Sequence, residues 1–273
     1  MERLPFSVSV CVYGGDNAAH FTAAMQSLFD QTVLPDEIVL VVDGPVPEAL
    51  ERAIARCAEN PAVRVHRLPE NLGHGGARRA GLSQCKNDLI ALMDADDLCV
   101  PERFALQLAA FRACSGLAVC GGQIEEFITS PRQIVGKRIV PLKDIEIKQY
   151  LKRRCPMNQV TVMLRKSAAD AAGGYLDWFC EEDYYLWLRM AQSGAVFGNC
   201  PETLVYVRVG EEMYRRRGGL CYFRSEARLQ KYMRKNQIIS FPLYCVNVLK
   251  RLLVQVLLPN RLRGMIFRKF ARK

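Results

Sequence analysis

Residues 94–97 read Asp-Ala-Asp-Asp and close an apolar run, "LIALMDADD". Carboxylates this close repel one another and lose hydration when partly buried. A hard divalent cation, Mn²⁺ or Mg²⁺, removes that repulsion. It takes oxygen ligands, commonly one or two carboxylates together with water and substrate phosphates, and it would neutralise a diphosphate leaving group. The same residues also suit a solvated acidic loop in which Asp97 or a neighbour caps a helix opening at Pro101. A second acidic stretch, Glu181-Glu182-Asp183, precedes a run of bulky aromatics. It reads either as the acidic first turn of a helix whose Tyr185, Trp187 and Leu188 are core, or as a rim that holds a general base. In the third stretch, "NLGHGGARRAGL" (71–82), glycines lead into a helix that carries Arg78 and Arg79. Glycines let a ligand approach the backbone, a helix N-terminus favours an anion, and an arginine can pair with phosphate while its neighbour faces solvent. The spacing is neither a dinucleotide fingerprint nor a GxxxxGK[ST] phosphate loop.

These groups need elements to position them. β-Branched runs at 6–13, 36–44, 62–68 and 88–94 alternate with helical patterns at 17–31, 45–57, 75–85 and 101–114. Strands alternating with helices predict right-handed βαβ units and a mostly parallel sheet with flanking helices, an α/β fold. Ligands bind such sheets beyond the carboxyl ends of the strands. Those ends carry Val12-Tyr13-Gly14-Gly15-Asp16, Asp43-Gly44, Asn71-Leu72-Gly73 and the aspartate cluster, so acids, glycines and an aromatic converge on one crevice. Beyond residue 119 the regularity breaks: further strands are expected at 118–128 and 132–142, and helices at 144–154 and 182–193.

The 273 residues, half of them hydrophobic and 24% charged, can bury a substantial core. The net charge of +10 is uneven: residues 208–273 hold 17 Lys/Arg against three acids, a net of +14, leaving residues 1–207 at −4. Eleven scattered cysteines without a CxxC pair argue against both a disulfide framework and a structural zinc site. The start lacks signal-peptide architecture, and no uncharged apolar run reaches the length of a membrane span, so a cytoplasmic location is expected.

In order along the chain, "SVSVCVYGGD", "SLFDQTVLPDEIVLVVDG", "NLGHGGARRAGL", "LMDADD", "CPMNQVTVM" and "GGYLDWFCEEDYYLWLRM" resemble the inverting nucleotide-sugar glycosyltransferases of family 2. The resemblance implies a GT-A (Rossmann-like) fold. It is strongest to the bacterial O-antigen and exopolysaccharide enzymes, which move galactose or glucose from a UDP-hexose onto GlcNAc-diphosphate-undecaprenol. Carried over, it implies that Val12, Tyr13 and Asp43 line the uracil pocket and that Arg78 lies near uracil and phosphate. Asp94, with Ala95 beside it, would contact ribose or sugar hydroxyls, and Asp96 would bind the metal. Asp183 of the Glu182-Asp183 pair would be the base, with Asn158, Gln159 and Trp187 on the acceptor side. The chain departs from its relatives at "VVDGP", which keeps a single acid, and at Gln159, where the subgroup commonly has histidine.

A change of composition near residue 207 divides the chain into an expected catalytic domain, 1–207, and a basic amphipathic segment, 208–273. Within the catalytic domain the nucleotide-sugar half is about 1–120 and the acceptor half about 121–207. The basic segment mixes arginines with aromatic and aliphatic residues, a composition that suits peripheral docking on an anionic membrane, here the inner face of the bacterial cell membrane. A solvated helix packed on the catalytic domain fits the same composition. No nucleic-acid reader motif accompanies the charge, so no nucleic-acid partner is expected. A sugar-nucleotide-binding protein without turnover is the other alternative. "YGGDNAA" after the first strand excludes a dinucleotide enzyme.

Overall fold

Strand β1 (Phe6–Tyr13) sends Val8, Val10 and Val12 to one face and Ser7, Ser9 and Cys11 to the other, and both faces are covered. That is the signature of a strand at the centre of a two-sided α/β sheet. The computed structural model describes residues 4–210 and 218–257. Strands β2 (Glu37–Asp43), β3 (Val63–Leu68) and β4 (Leu89–Asp94) lie parallel to β1 in the order β3-β2-β1-β4. Helices α1 (Ala18–Phe29), α2 (Glu48–Ala58) and α3 (Gly73–Gln84) connect them. The four carboxyl ends therefore share one edge.

Past β4 the sheet becomes mixed. β5 (Leu98–Cys99) and α4 (Arg103–Ala113) lead into β6 (Leu117–Phe127), which pairs with the antiparallel hairpin strand β7 (Ile134–Arg138). After α5 (Asp144–Leu151), β8 (Met163–Arg165) inserts antiparallel between β4 and β6. Helices α6 (Lys166–Ala171) and α7 (Glu182–Gln192) follow, and β9 (Val196–Arg208) then runs parallel to β6 and carries β5 on its outer side. This last strand was not foreseen. Gly198, Asn199 and Pro201 interrupt its apolar pattern, and its register against β6 shifts where they fall.

Two cores cover the two faces. One joins Val8, Val10 and Val12 to Phe21, Met25, Ile54, Phe104 and Phe111 from α1, α2 and α4. The other joins Val39, Val41, Ile90 and Leu92 to Tyr175, Trp187 and Leu188, and also to Leu229 and Met233. Those last two belong to α8 (Leu220–Lys235), which forms a hairpin with α9 (Phe241–Leu252). The composition change near residue 207 is therefore no break in packing, because α8 is seated on the same core as α7. Residues 211–217 and the basic stretch 260–273 lie outside the described residues.

Candidate active site

At the end of β1, Val12 is buried and faces the first core, whereas Tyr13 is 41% exposed at the crevice. The alternation of the strand decides this: the Val12 side chain packs inward, and Tyr13 offers the side-chain surface at the strand end. The Tyr13 ring lies over Gly15, where an added Cβ would sit 2.5 Å from the phenol oxygen. Asp16 fixes the turn by accepting from the Tyr13 N–H at 2.9 Å.

At the end of β2, Asp43 is almost fully buried, and its Oδ1 accepts from the Leu72 N–H at 2.7 Å. Its carbonyl accepts from Asn71 Nδ2 at 3.3 Å. Gly44 follows at φ +79°, and a Cβ there would meet the Asn71 nitrogen at 2.7 Å. Only glycine lets β2 and the 71–73 loop approach this closely. Asp43 thus has a structural partner in the glycine-rich loop as well as the nucleotide role implied by the resemblance.

Arg78 leaves α3 and ties the crevice together. Its side chain is 11% exposed, one guanidinium nitrogen meets Asp94 Oδ1 at 2.9 Å, and the other meets Glu182 Oε1 at 3.0 Å. Burial alone would lower the pKa of Arg78, but the charges of Asp94, Tyr175 and Glu182 outweigh it and hold the guanidinium protonated. Arg79 points to solvent. The "MDADD" and "EED" stretches, 84 or more positions apart in sequence, are thus joined through one buried cation.

Within the aspartate cluster the three acids differ. Asp94 is partly exposed, whereas Ala95 is buried in the first core, so Ala95 can offer a ligand its backbone but no side-chain surface. The Asp96 carbonyl accepts from Arg208 Nε at 3.2 Å, and Asp97, 3% exposed, takes the Arg208 N–H on Oδ1 at 2.7 Å. Asp97 does not cap α4: the residue before that helix is Glu102, and no side chain caps it. Burial, then the charges of Asp96 and Asp94, push the Asp97 carboxyl well above its usual range.

At the start of α7, Glu182 is buried and held by Arg78, while Asp183 is half-buried. Burial and then the neighbouring Glu182 charge raise the Asp183 carboxyl to about 6, against the opposing pull of Arg78. Its Oδ1 accepts from the Tyr184 N–H at 2.6 Å. A carboxylate of this kind is poised to take a proton near neutral pH. Trp187 has no exposed surface and belongs to the second core. Its indole packs beneath the start of α7 and presents no surface in this structure. Asn158, 2% exposed, donates to the Gly122 carbonyl at 2.8 Å. Gln159 donates to the Tyr175 hydroxyl at 2.5 Å, so both amides are spent on internal hydrogen bonds.

The sequence profile of the family described as Glycosyl transferase family 2 matches residues 7–172. The chain belongs to this family. It is 40% identical to an uncharacterized glycosyltransferase of Haemophilus influenzae, over 84% of this chain and 85% of the relative. It is 36% identical to the amylovoran biosynthesis glycosyltransferase AmsE of Erwinia amylovora, over 83% and 84%. Over 98% of this chain and 97% of the relative, it is 32% identical to the Escherichia coli UDP-Gal:alpha-D-GlcNAc-diphosphoundecaprenol beta-1,3-galactosyltransferase. Among solved structures, the mannosyltransferase PcManGT from Pyrobaculum calidifontis in complex with GDP-Man and Mn²⁺ superimposes with a TM-score of 0.63 at 15% identity. That match covers 96% of this chain and 72% of the other, a likeness of fold alone. The mixed sheet with its flanking helices is the GT-A architecture.

In this glycosyltransferase the donor set at the end of β4 suits a hard cation. The candidate ligand atoms are carboxylate oxygens, and the charges of Asp96 and Asp94 add to burial in disfavouring ionisation of Asp97. Among the described residues no three His, Cys, Asp or Glu side chains form a ready cage, so the fit is to an ion that takes few protein ligands and completes its shell elsewhere.

Sequence reasoning missed the groups that buttress these acids. Arg208 ends β9, lies 4.6 Å over the Phe127 ring and clasps the aspartate turn, but its strand was unrecognised. Tyr175, inside the quoted "GGYLDWFCEEDYYLWLRM" stretch but given no role there, reaches Gln159, and Tyr222 reaches Glu181 from α8 with no motif to mark it.

Proposed function

We propose that the protein transfers a hexose, galactose or glucose, from a UDP-sugar to a lipid-diphosphate-linked GlcNAc with inversion at the anomeric carbon. The acceptor would be an undecaprenyl diphosphate in bacterial surface polysaccharide assembly. The observation that carries this reading is the convergence of Asp94 and of Glu182, next to Asp183, on Arg78 at the carboxyl edge of the sheet. The near full-length similarity to the UDP-Gal transferase of Escherichia coli supports the choice of donor and acceptor.

In a single displacement, the acceptor hydroxyl attacks the anomeric carbon from the face opposite UDP, and its proton passes to an Asp183 oxygen. The C–O bond to the diphosphate breaks with its electron pair leaving on UDP. One base suffices, and no second nucleophilic carboxylate is needed. A base near 6 is mostly ionised at neutral pH yet basic enough to draw the proton as the new bond forms. Glu182 and Arg78 position Asp183, Asp94 faces the sugar or ribose hydroxyls, and Tyr13 with Asp43 receives the uracil. Asp96 would hold Mn²⁺ or Mg²⁺, which when bound supplies positive charge to the diphosphate leaving group.

No helix among the described residues is long and apolar enough to cross a membrane. We place the reaction on the cytoplasmic face of the bacterial cell membrane, where such an acceptor presents its head group. The test is a panel of UDP-sugars with Mn²⁺ and a GlcNAc-diphosphate-alkyl acceptor, with the product's anomeric configuration read by NMR. An α-linked UDP-hexose should give a β-linked disaccharide. An α-linked product would rule out the single displacement.

A further inference from the structure

We infer that the α8–α9 hairpin is the face on which the enzyme rests on an anionic lipid bilayer, an inference that builds on the lipid-linked acceptor proposed above. Arg224, Arg228, Lys231 and Lys235 are all exposed and recur at i, i+4, i+7 and i+11, which aligns them in one row along α8. Among the described residues no ion pair neutralises any of the four, and the acid of this helix, Glu226, is committed to Arg251 at 2.9 Å. On α9 and the turn after it, Pro242, Val246, Leu249 and Leu253 follow the same spacing and are exposed, Leu249 to 57%. Phe241 adds an aromatic ring at 61% exposure.

A row of cations on one helix and a row of apolar side chains on its hairpin partner match the two layers of an anionic bilayer surface. Head groups neutralise the cations, and the acyl boundary takes the apolar groups. A nucleic acid would satisfy the cations but leave the apolar row in water, so the bilayer fits more of the surface.

The position of the hairpin supplies the reason for docking. Arg228 stacks over Trp178 at 4.2 Å, the Trp178 indole donates to the Ser225 carbonyl at 3.3 Å, and Ser225 Oγ donates to the Phe179 carbonyl. The Tyr222 hydroxyl donates to Glu181 at 2.8 Å. The cation row therefore runs beside the loop that leads into Asp183, and Phe179 of that loop is itself 60% exposed. A bilayer against this face would present a lipid-anchored head group next to the base.

The test uses the full chain and vesicles of phosphatidylglycerol and phosphatidylcholine. Wild type should cosediment with anionic vesicles at low salt and be released by salt. Arg224→Glu/Lys231→Glu/Lys235→Glu should bind on the order of 100-fold more weakly, taking roughly 1 kcal/mol for each cation lost. Arg228 is retained there because it braces Trp178. The uncharged variant Val246→Ser/Leu249→Ser should weaken binding while keeping its salt dependence. Transfer to a short-chain soluble acceptor should be unchanged in both variants, while transfer to acceptor embedded in vesicles should fall with binding. Wild type that ignores anionic vesicles, that binds duplex RNA more tightly than vesicles, or that uses the exposed rows to self-associate would overturn the inference. An enzyme that binds vesicles yet transfers no sugar to either acceptor would instead overturn the transferase assignment and leave the docking surface standing.

Discussion

Replacing Arg78 by methionine removes the cation on which the two acidic stretches converge, and the structure fixes how much that should cost. Arg78 and Glu182 are both nearly sealed, with side-chain exposures of 11% and 10%, whereas Asp94 is 40% exposed and can hydrate once released. Breaking a buried pair leaves an uncompensated charge, which costs about 3–5 kcal/mol, while an exposed pair contributes about 0–1 kcal/mol. Most of the penalty should therefore come from Glu182, and Arg78→Met should lose about 3 kcal/mol of unfolding free energy at pH 7. Equilibrium urea unfolding followed by tryptophan fluorescence measures it. The double variant Arg78→Met/Glu182→Gln should recover most of the loss at pH 7. A single variant within about 1 kcal/mol of wild type would refute the claim that Glu182 depends on Arg78.

Transfer activity should rise tenfold per pH unit up to about 6, where Asp183 titrates, and level off above it. Because folding raises this carboxyl above the usual aspartate range, it favours the folded state when protonated, and that contribution is lost as pH climbs through about 6. Asp183→Asn should accordingly raise the urea midpoint at pH 7 while abolishing the kinetic step near 6. Leu229→Ala, at a position with no exposed surface in the second core, should cost about 2–5 kcal/mol if α8 belongs to the catalytic fold, and its thermal midpoint reports this. Gly44→Ala meets both the positive φ and the Asn71 backbone, so it should destabilise the protein by about 1–3 kcal/mol and weaken UDP binding measured calorimetrically.

Sequence pattern revealed the first four strands well because β1, β2 and β4 are buried along nearly their whole length. Uninterrupted β-branched runs bounded by glycine and aspartate leave little ambiguity, and β1 spans the residues expected of it. Motif order likewise carried the family. Side-chain direction did not follow from motif membership: Val12 and Ala95 sit inside recognised motifs but face the core, while Tyr13 faces out. β9 escaped because Gly198, Asn199 and Pro201 break its alternation and long-range pairing alone keeps it extended. α8 reads as a surface helix because its buried stripe is narrow, Ser225, Leu229, Gln230 and Met233, and five of its other twelve positions are cations. The Arg78 bridge was equally hidden, since Glu182 lies 104 positions from Arg78 and only the closed fold brings them within 3.0 Å.

The assignment of Asp183 as the base in hexosyl transfer is tested most directly by the turnover rate of Asp183→Asn. The assay is transfer from UDP-Gal or UDP-Glc, whichever the wild type uses, to GlcNAc-diphosphate-lipid at pH 7 with Mn²⁺. The account predicts a fall of about 10²–10⁴ in kcat, with little change in the affinity for UDP. A folded Asp183→Asn enzyme that turns over at the wild-type rate would contradict it.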